Sequence, residues 1–198
     1  SCYVLPCPGY MEIAPSTLCG PDGNGCGIVA RRFDEWGVPL GSAFVLNENG
    51  LDNQMRAVAV GRFDGGFVAA WLTSNIPYFG AWSEMARSVS VRFFDGGVAP
   101  LTSDIDFNEH DCADLSSVQL SSHPDGEVMV SWTSSPLGPE QGAQAWDCDL
   151  TWIDKGQDGD GTGVFARRLS KEGTPASPTE YQLGDESVGN QSHGNTTW

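Results

Sequence analysis

Cationic side chains are scarce in this 198-residue chain: 10 Lys and Arg stand against 26 Asp and Glu, for a formal net charge of -16. Phosphate contact needs a basic face, so nucleic acid is excluded as a partner. The three histidines, His110, His123 and His193, are far apart in sequence. No Ser-His-Asp pattern, nucleophile elbow or phosphate loop accompanies them, and the sequence leans away from an enzyme. Paired carboxylates, as in glycoside hydrolysis, are the one catalytic arrangement the composition leaves open, because their separation depends on the fold. No apolar run is long enough to span a bilayer as a helix, and no signal-type segment is present. No stretch carries a 3.6-residue period of any quality.

Short apolar runs and glycine are abundant instead, with 25 glycines in all. Runs at 28–33, 43–46, 57–60 and 67–72 alternate with turn residues such as Asp64-Gly65-Gly66, where glycine supplies positive φ. The phrase at 27–71 returns at 88–132, and its first half returns at 163–183. Arg92-Phe93 answers Arg32-Phe33, Gly97 answers Gly37 and Pro100 answers Pro39. Asn108 answers Asn47, Asp125-Gly126 answers Asp64-Gly65, and Trp132 answers Trp71. Ala166-Arg167-Arg168-Leu169 answers Ala30-Arg31-Arg32-Phe33, and Asn190-Gln191 answers Asn53-Gln54. Four strands per unit, A (57–60), B (67–72), C (88–94) and D (105–107), at a spacing of about 60 residues, are the signature of a blade array.

The expected fold is therefore all-β, with tandem four-stranded antiparallel blades of β-propeller type. About three blades fill a single repeat domain over 1–198. A two-sided sheet cannot bury both faces alone, so neighbouring blades must stack. Taken in phase, 1–26 is an irregular, disulfide-stapled insertion, 27–72 the first full phrase and 88–133 the second, with 161–198 a third, incomplete one. Insertions fall at 73–87 and 134–160. The order is then C-D, A-B-C-D, A-B-C-D and the start of an A strand. Such an array belongs to a longer protein, to a ring completed by several chains, or to an open stack.

Six cysteines, Cys2, Cys7, Cys19, Cys26, Cys112 and Cys148, show no CxxC zinc spacing and point to disulfides in an oxidising compartment. Blade topology puts Cys112 and Cys148 on one end, so a bridge between them is expected, with local staples among the other four. Asp158-Gly-Asp160 and Asp22-Gly-Asn24 look like fragments of calcium loops, with alternate side chains able to face one cation. The default for both is a turn that needs no metal. No cofactor is required, and calcium is the one metal candidate.

The segments at 22–41 (DGNGCGIVARRFDEWGVPLG), 63–71 (FDGGFVAAW), 158–169 (DGDGTGVFARRL) and 172–175 (EGTP) resemble the tandem repeats of large secreted bacterial proteins. In these a unit such as DGxGxGVxARRFDxxGxPxG…DGGFVVxW recurs many times. The resemblance implies a propeller-type scaffold, secreted or held at the cell surface, with no assigned activity. The cysteines and the long insertions depart from that pattern.

All three insertions interrupt the link from B to C and so crowd one end of the array. Loops displayed on a rigid scaffold are where binding usually sits. Tyr78, Trp82, Trp146 and Trp152, with Asp147, are the candidate ligand-binding residues. The leading expectation is a scaffold or adhesion protein that holds a protein partner, or further copies of itself, through these loops. A carbohydrate-binding module stacking sugars on the same aromatics is the alternative, and glycan cleavage comes third.

Overall fold

The computed structural model describes residues 26–50, 52–74, 86–106, 108–109, 113–137, 157–184 and 189–191, together with the backbone of two strands within 2–15. Among the described residues, twelve strands form three antiparallel four-stranded sheets, each built from strands in sequence order. The first holds β1 (Cys2–Cys7), β2 (Gly9–Pro15), β3 (Ile28–Phe33) and β4 (Phe44–Val45). The second holds β5 (Asn53–Gly61), β6 (Phe67–Ser74), β7 (Ser88–Phe94) and β8 (Ile105–Asp106). The third holds β9 (Asp114–Ser122), β10 (Val128–Ser135), β11 (Gly163–Leu169) and β12 (Tyr181–Gln182). The all-β, four-stranded antiparallel expectation holds. Among the described residues the sheets follow one another in series and form no closed barrel or ring.

The first strand of each sheet lies against the sheet before it. β5 packs on β1, β2 and β3, and β9 packs on β5, β6 and β7. The middle sheet is therefore covered on both faces, and β6 shows how its sequence permits this. Side chains alternate across a strand. Val68, Ala70 and Leu72 enter one core with Val91, Phe93, Leu115, Val130 and Trp132. Phe67, Ala69 and Trp71 enter the other with Ile28, Ala30, Leu46 and Phe94. Phe67 and Phe94 stack at 4.5 Å between ring centroids. Trp71 and Trp132, each 1 % exposed, occupy the same position in successive sheets and face the preceding one.

Two sequence expectations need correction. The segment 1–26 is not wholly irregular, because β1 pairs with β2 and β2 pairs with β3, giving the first sheet its A and B strands. Its prolines hid this. Pro6 lies on β1, an edge strand, where a missing N–H need not interrupt the ladder, and the β1–β2 register shifts between Val4 and Cys7. The order is thus A-B-C-D three times, with no B strand missing at the start.

The repeat alignment also slips by one residue in the third strand. Phe33, Phe94 and Leu169 bridge to Pro39, Pro100 and Pro175, so Arg92 answers Arg31 and Phe94 answers Phe33. The fixed point is the turn that follows. Asp34 Oδ1 accepts the N–H groups of Trp36 and Val38, and Asp95 Oδ1 those of Gly97 and Ala99. Ser170 Oγ does the same for Glu172 and Thr174. In this frame Val98, at φ 69°, occupies the position of Gly37 at φ 80°.

The first strands of the second and third sheets share a bulge. Register shifts fall between Met55 and Val58 on β5 and, on the partner of β9, between Ser131 and Thr133. Arg56 and Ser117 take the left-handed conformation there, at φ 53° and 54°. That region costs a residue with a Cβ about 1–2 kcal/mol and glycine nothing comparable. Ser117→Gly is expected to raise the thermal midpoint by about 2–4 °C per kcal/mol relieved. A scanning calorimetry trace showing a lower midpoint would mean the bulge carries no strain.

Candidate functional site

The links between the second and third strands span 16–27, 75–87 and 136–162. Each leaves its sheet at the same end, because the strands on either side of it occupy equivalent register positions. The turns at the other end, such as 62–66 and 123–127, are short and closed by backbone bonds, Arg62 to Gly66 and His123 to Glu127. Tyr78, Trp82, Trp146, Asp147 and Trp152 lie outside the described residues, as do Asp22, Asn24, Cys19, Cys112 and Cys148. Cys2 and Cys7 sit on β1, described by backbone alone. Cys26 is disulfide-bonded.

Asp158 and Asp160 are described, and both serve the backbone. Asp158 Oδ1 accepts the N–H of Asp160 at 3.1 Å, and Asp160 Oδ2 that of Gly189 at 3.3 Å. Asn190 Oδ1 accepts the Thr162 N–H at 3.1 Å, repeating the bond from Cys26 N–H to Asn53. No group of three or more His, Cys, Asp or Glu suited to a metal occurs among the described residues.

Two features were not expected from sequence. The first is a polar clasp that joins consecutive sheets. Arg92, on β7, donates through Nη1 to the Leu46 carbonyl of the first sheet at 2.9 Å, and through Nε to Thr102 of its own sheet at 3.0 Å. Its Nη2 lies 3.4 Å from Glu48. Asp104 Oδ2 accepts the N–H groups of Glu48 and Asn49, both at 2.8 Å. The arrangement recurs one sheet later: Arg167 approaches Glu109 at 3.4 Å, and Glu180 accepts the Glu109 N–H. Asn47 and Asn108 prepare each acceptor end, taking the N–H of Ile28 at 2.9 Å and of Val89 at 2.7 Å. The Asn-Glu dipeptides at 47–48 and 108–109 were the available signal.

The second feature is apolar. Trp36, Val38, Leu40, Phe63 and Leu101 are all more than half exposed, and all stand on short turns, at the end opposite the long links. A cleft of about 240 Å³ opens there between the 40–44 link and Gly97-Val98, with Arg32 in its wall. Arg32 donates to the Gly96 carbonyl, so this cation already holds a backbone acceptor. The described turn end thus offers an apolar surface, while the aromatics expected from sequence lie outside the described residues. No protein-family model and no curated protein matches the chain, so function is argued from this geometry.

Burial lifts the Asp104 carboxyl above the ordinary carboxylate range, against the N–H groups of Asn49 and Glu48 and the charge of Arg92, which pull it down. Asp125 goes the other way, held low first by the Glu127 N–H and then by His123. The raised value of Asp104 fixes a sign. Its contribution to stability is complete below the unfolded value near 3.9 and declines as pH rises through the folded one. The melting-temperature advantage of the native chain over Asp104→Asn should therefore shrink as pH rises from below about 3.9 towards neutrality. An advantage that grows over this interval would show that the Arg92 and N–H interactions outweigh burial.

Proposed function

We propose that this chain is a secreted or cell-surface scaffold of propeller-like blades that holds a partner through its long links, with no chemistry of its own. The observation that carries the reading is the repetition of one long link, between second and third strands, at the same end of all three sheets. Links that join neighbouring strands of a stacked scaffold can vary while the strands stay fixed, which is how binding loops arise on rigid scaffolds. The link sequences hold Tyr78, Trp82, Trp146 and Trp152, residue types that dominate protein interfaces and sugar-stacking sites alike. Both Asp158 and Asp160 act as backbone acceptors, so calcium is not needed for the proposal. The secreted setting follows the resemblance to tandem bacterial repeats, and the disulfide at Cys26 suits an oxidising compartment.

A second reading has its own observation. The exposed Trp36, Val38 and Leu40 would place a protein partner on the short-turn end. The two ends are separable by experiment. Retention of the purified chain on immobilised cell-surface material should fall at least about tenfold when 75–85 and 138–156 are replaced by short turns, and stay unchanged in Trp36→Ser. Retention lost only in Trp36→Ser moves the site to the turn end. Elution by a defined oligosaccharide on a glycan array selects the carbohydrate-binding alternative.

A further inference from the structure

The clasp between sheets has one half without a counterpart. Arg31 holds in the first sheet the place of Arg92 and Arg167 in the second and third. Its Nε donates to the Gly41 carbonyl at 3.0 Å, as Arg92 Nε donates to Thr102 at 3.0 Å. There the likeness stops. Arg92 goes on to the Leu46 carbonyl and Glu48 of the sheet before it, and Arg167 goes on to Glu109. Arg31 lies 5.8 Å from the Phe33 ring and makes no ion pair among the described residues.

The neighbours of Arg31 repeat the contrast. Ser90, Arg92 and Phe94, which face the first sheet, are all buried. Their counterparts Val29, Arg31 and Phe33 are half-buried, and so is Val45 opposite Val29. On its described part, this face sets one guanidinium among Val29, Phe33 and Val45, and Glu12 stands opposite Arg31 in the β2–β3 register. The acceptor end shows the complementary effect. Leu46, covered by the next sheet, is fully buried, whereas Leu183, its counterpart in the third sheet, is 40 % exposed.

We propose that the outer face of the first sheet is a docking surface for one more four-stranded unit of this same repeat. That unit presents a carbonyl and a carboxylate after its fourth strand, as Leu46 and Glu48 do. Arg31 takes the carbonyl, and Phe33 with Val29 packs against the apolar face of the arriving sheet. Small anions and glycans do not supply this combination of a flat apolar sheet with a backbone acceptor at its edge. The inference rests on the blade reading above, but not on what the long links bind.

The test uses the full chain and an extended chain carrying a copy of residues 52–112, the second unit with its own Asn-Glu end, joined ahead of residue 1. In the full chain, Arg31→Ala should change the thermal midpoint by no more than about 1 °C, while Arg92→Ala lowers it by several degrees. In the extended chain Arg31→Ala should cost as much as Arg92→Ala. The proposal is overturned if Arg31→Ala is silent in both chains, whether the added unit fails to fold or folds without docking. It is equally overturned if Arg31→Ala is as costly in the unextended chain, since Arg31 would then serve its own sheet alone. These results read unfolding and leave the loop-binding experiment to stand or fall separately.

Discussion

A sheet with two apolar faces cannot stand in water, and the second sheet of this chain has two. Val68, Ala70 and Leu72 on one side of β6 and Phe67, Ala69 and Trp71 on the other are all nearly inaccessible. The first and third sheets are there to cover them. Burial at roughly 25 cal/mol per Å² of apolar surface drives the stacking, and nothing within one sheet could replace it. Serial order, the inward tryptophans and the short closed turns all follow from this constraint.

Apolar stacking alone would let sheets slide. The clasp resists sliding, because Arg92 and Asp104 bind particular backbone groups of the first sheet, and Arg167 and Glu180 bind their equivalents in the second. Charge-assisted bonds of this kind are stronger and more directional than neutral ones. Asp104 bears the cost of partial burial for that position, with its carboxyl lifted above the usual range. Packing supplies the stability, and the clasp supplies the register between units.

Much of this was legible in the residues. Short apolar runs and their repetition located ten of the twelve described strands, and the pairs Trp71 with Trp132, Asn47 with Asn108 and Asp64 with Asp125 proved equivalent in register. The failures have physical causes. Pro6 and the cysteines disguised an edge pair at 2–15, because proline is read as a strand breaker and an edge strand can accommodate it. Arg-Phe at 92–93 looked like Arg-Phe at 32–33, but the Asp34 and Asp95 turns fix the frame one residue away. The clasp was invisible for a different reason. Its partners lie about 45 to 70 residues apart, and only stacking brings Glu48 to Arg92 or Glu109 to Arg167. The apolar turn end was missed because Trp36 and Phe63 sit in segments that read as hairpin turns.

The central claim is that the middle sheet is the most enclosed part of the stack, held from both sides. Native-state hydrogen exchange, resolved by strand, tests it most directly. The account predicts that β6 amides are the slowest of all, exchanging only with global unfolding, and that β3 and β11 exchange faster through local opening of the outer sheets. If β6 exchanged as fast as β11, or if the three sheets opened independently, the sheets would be separate folding units and the account would be wrong.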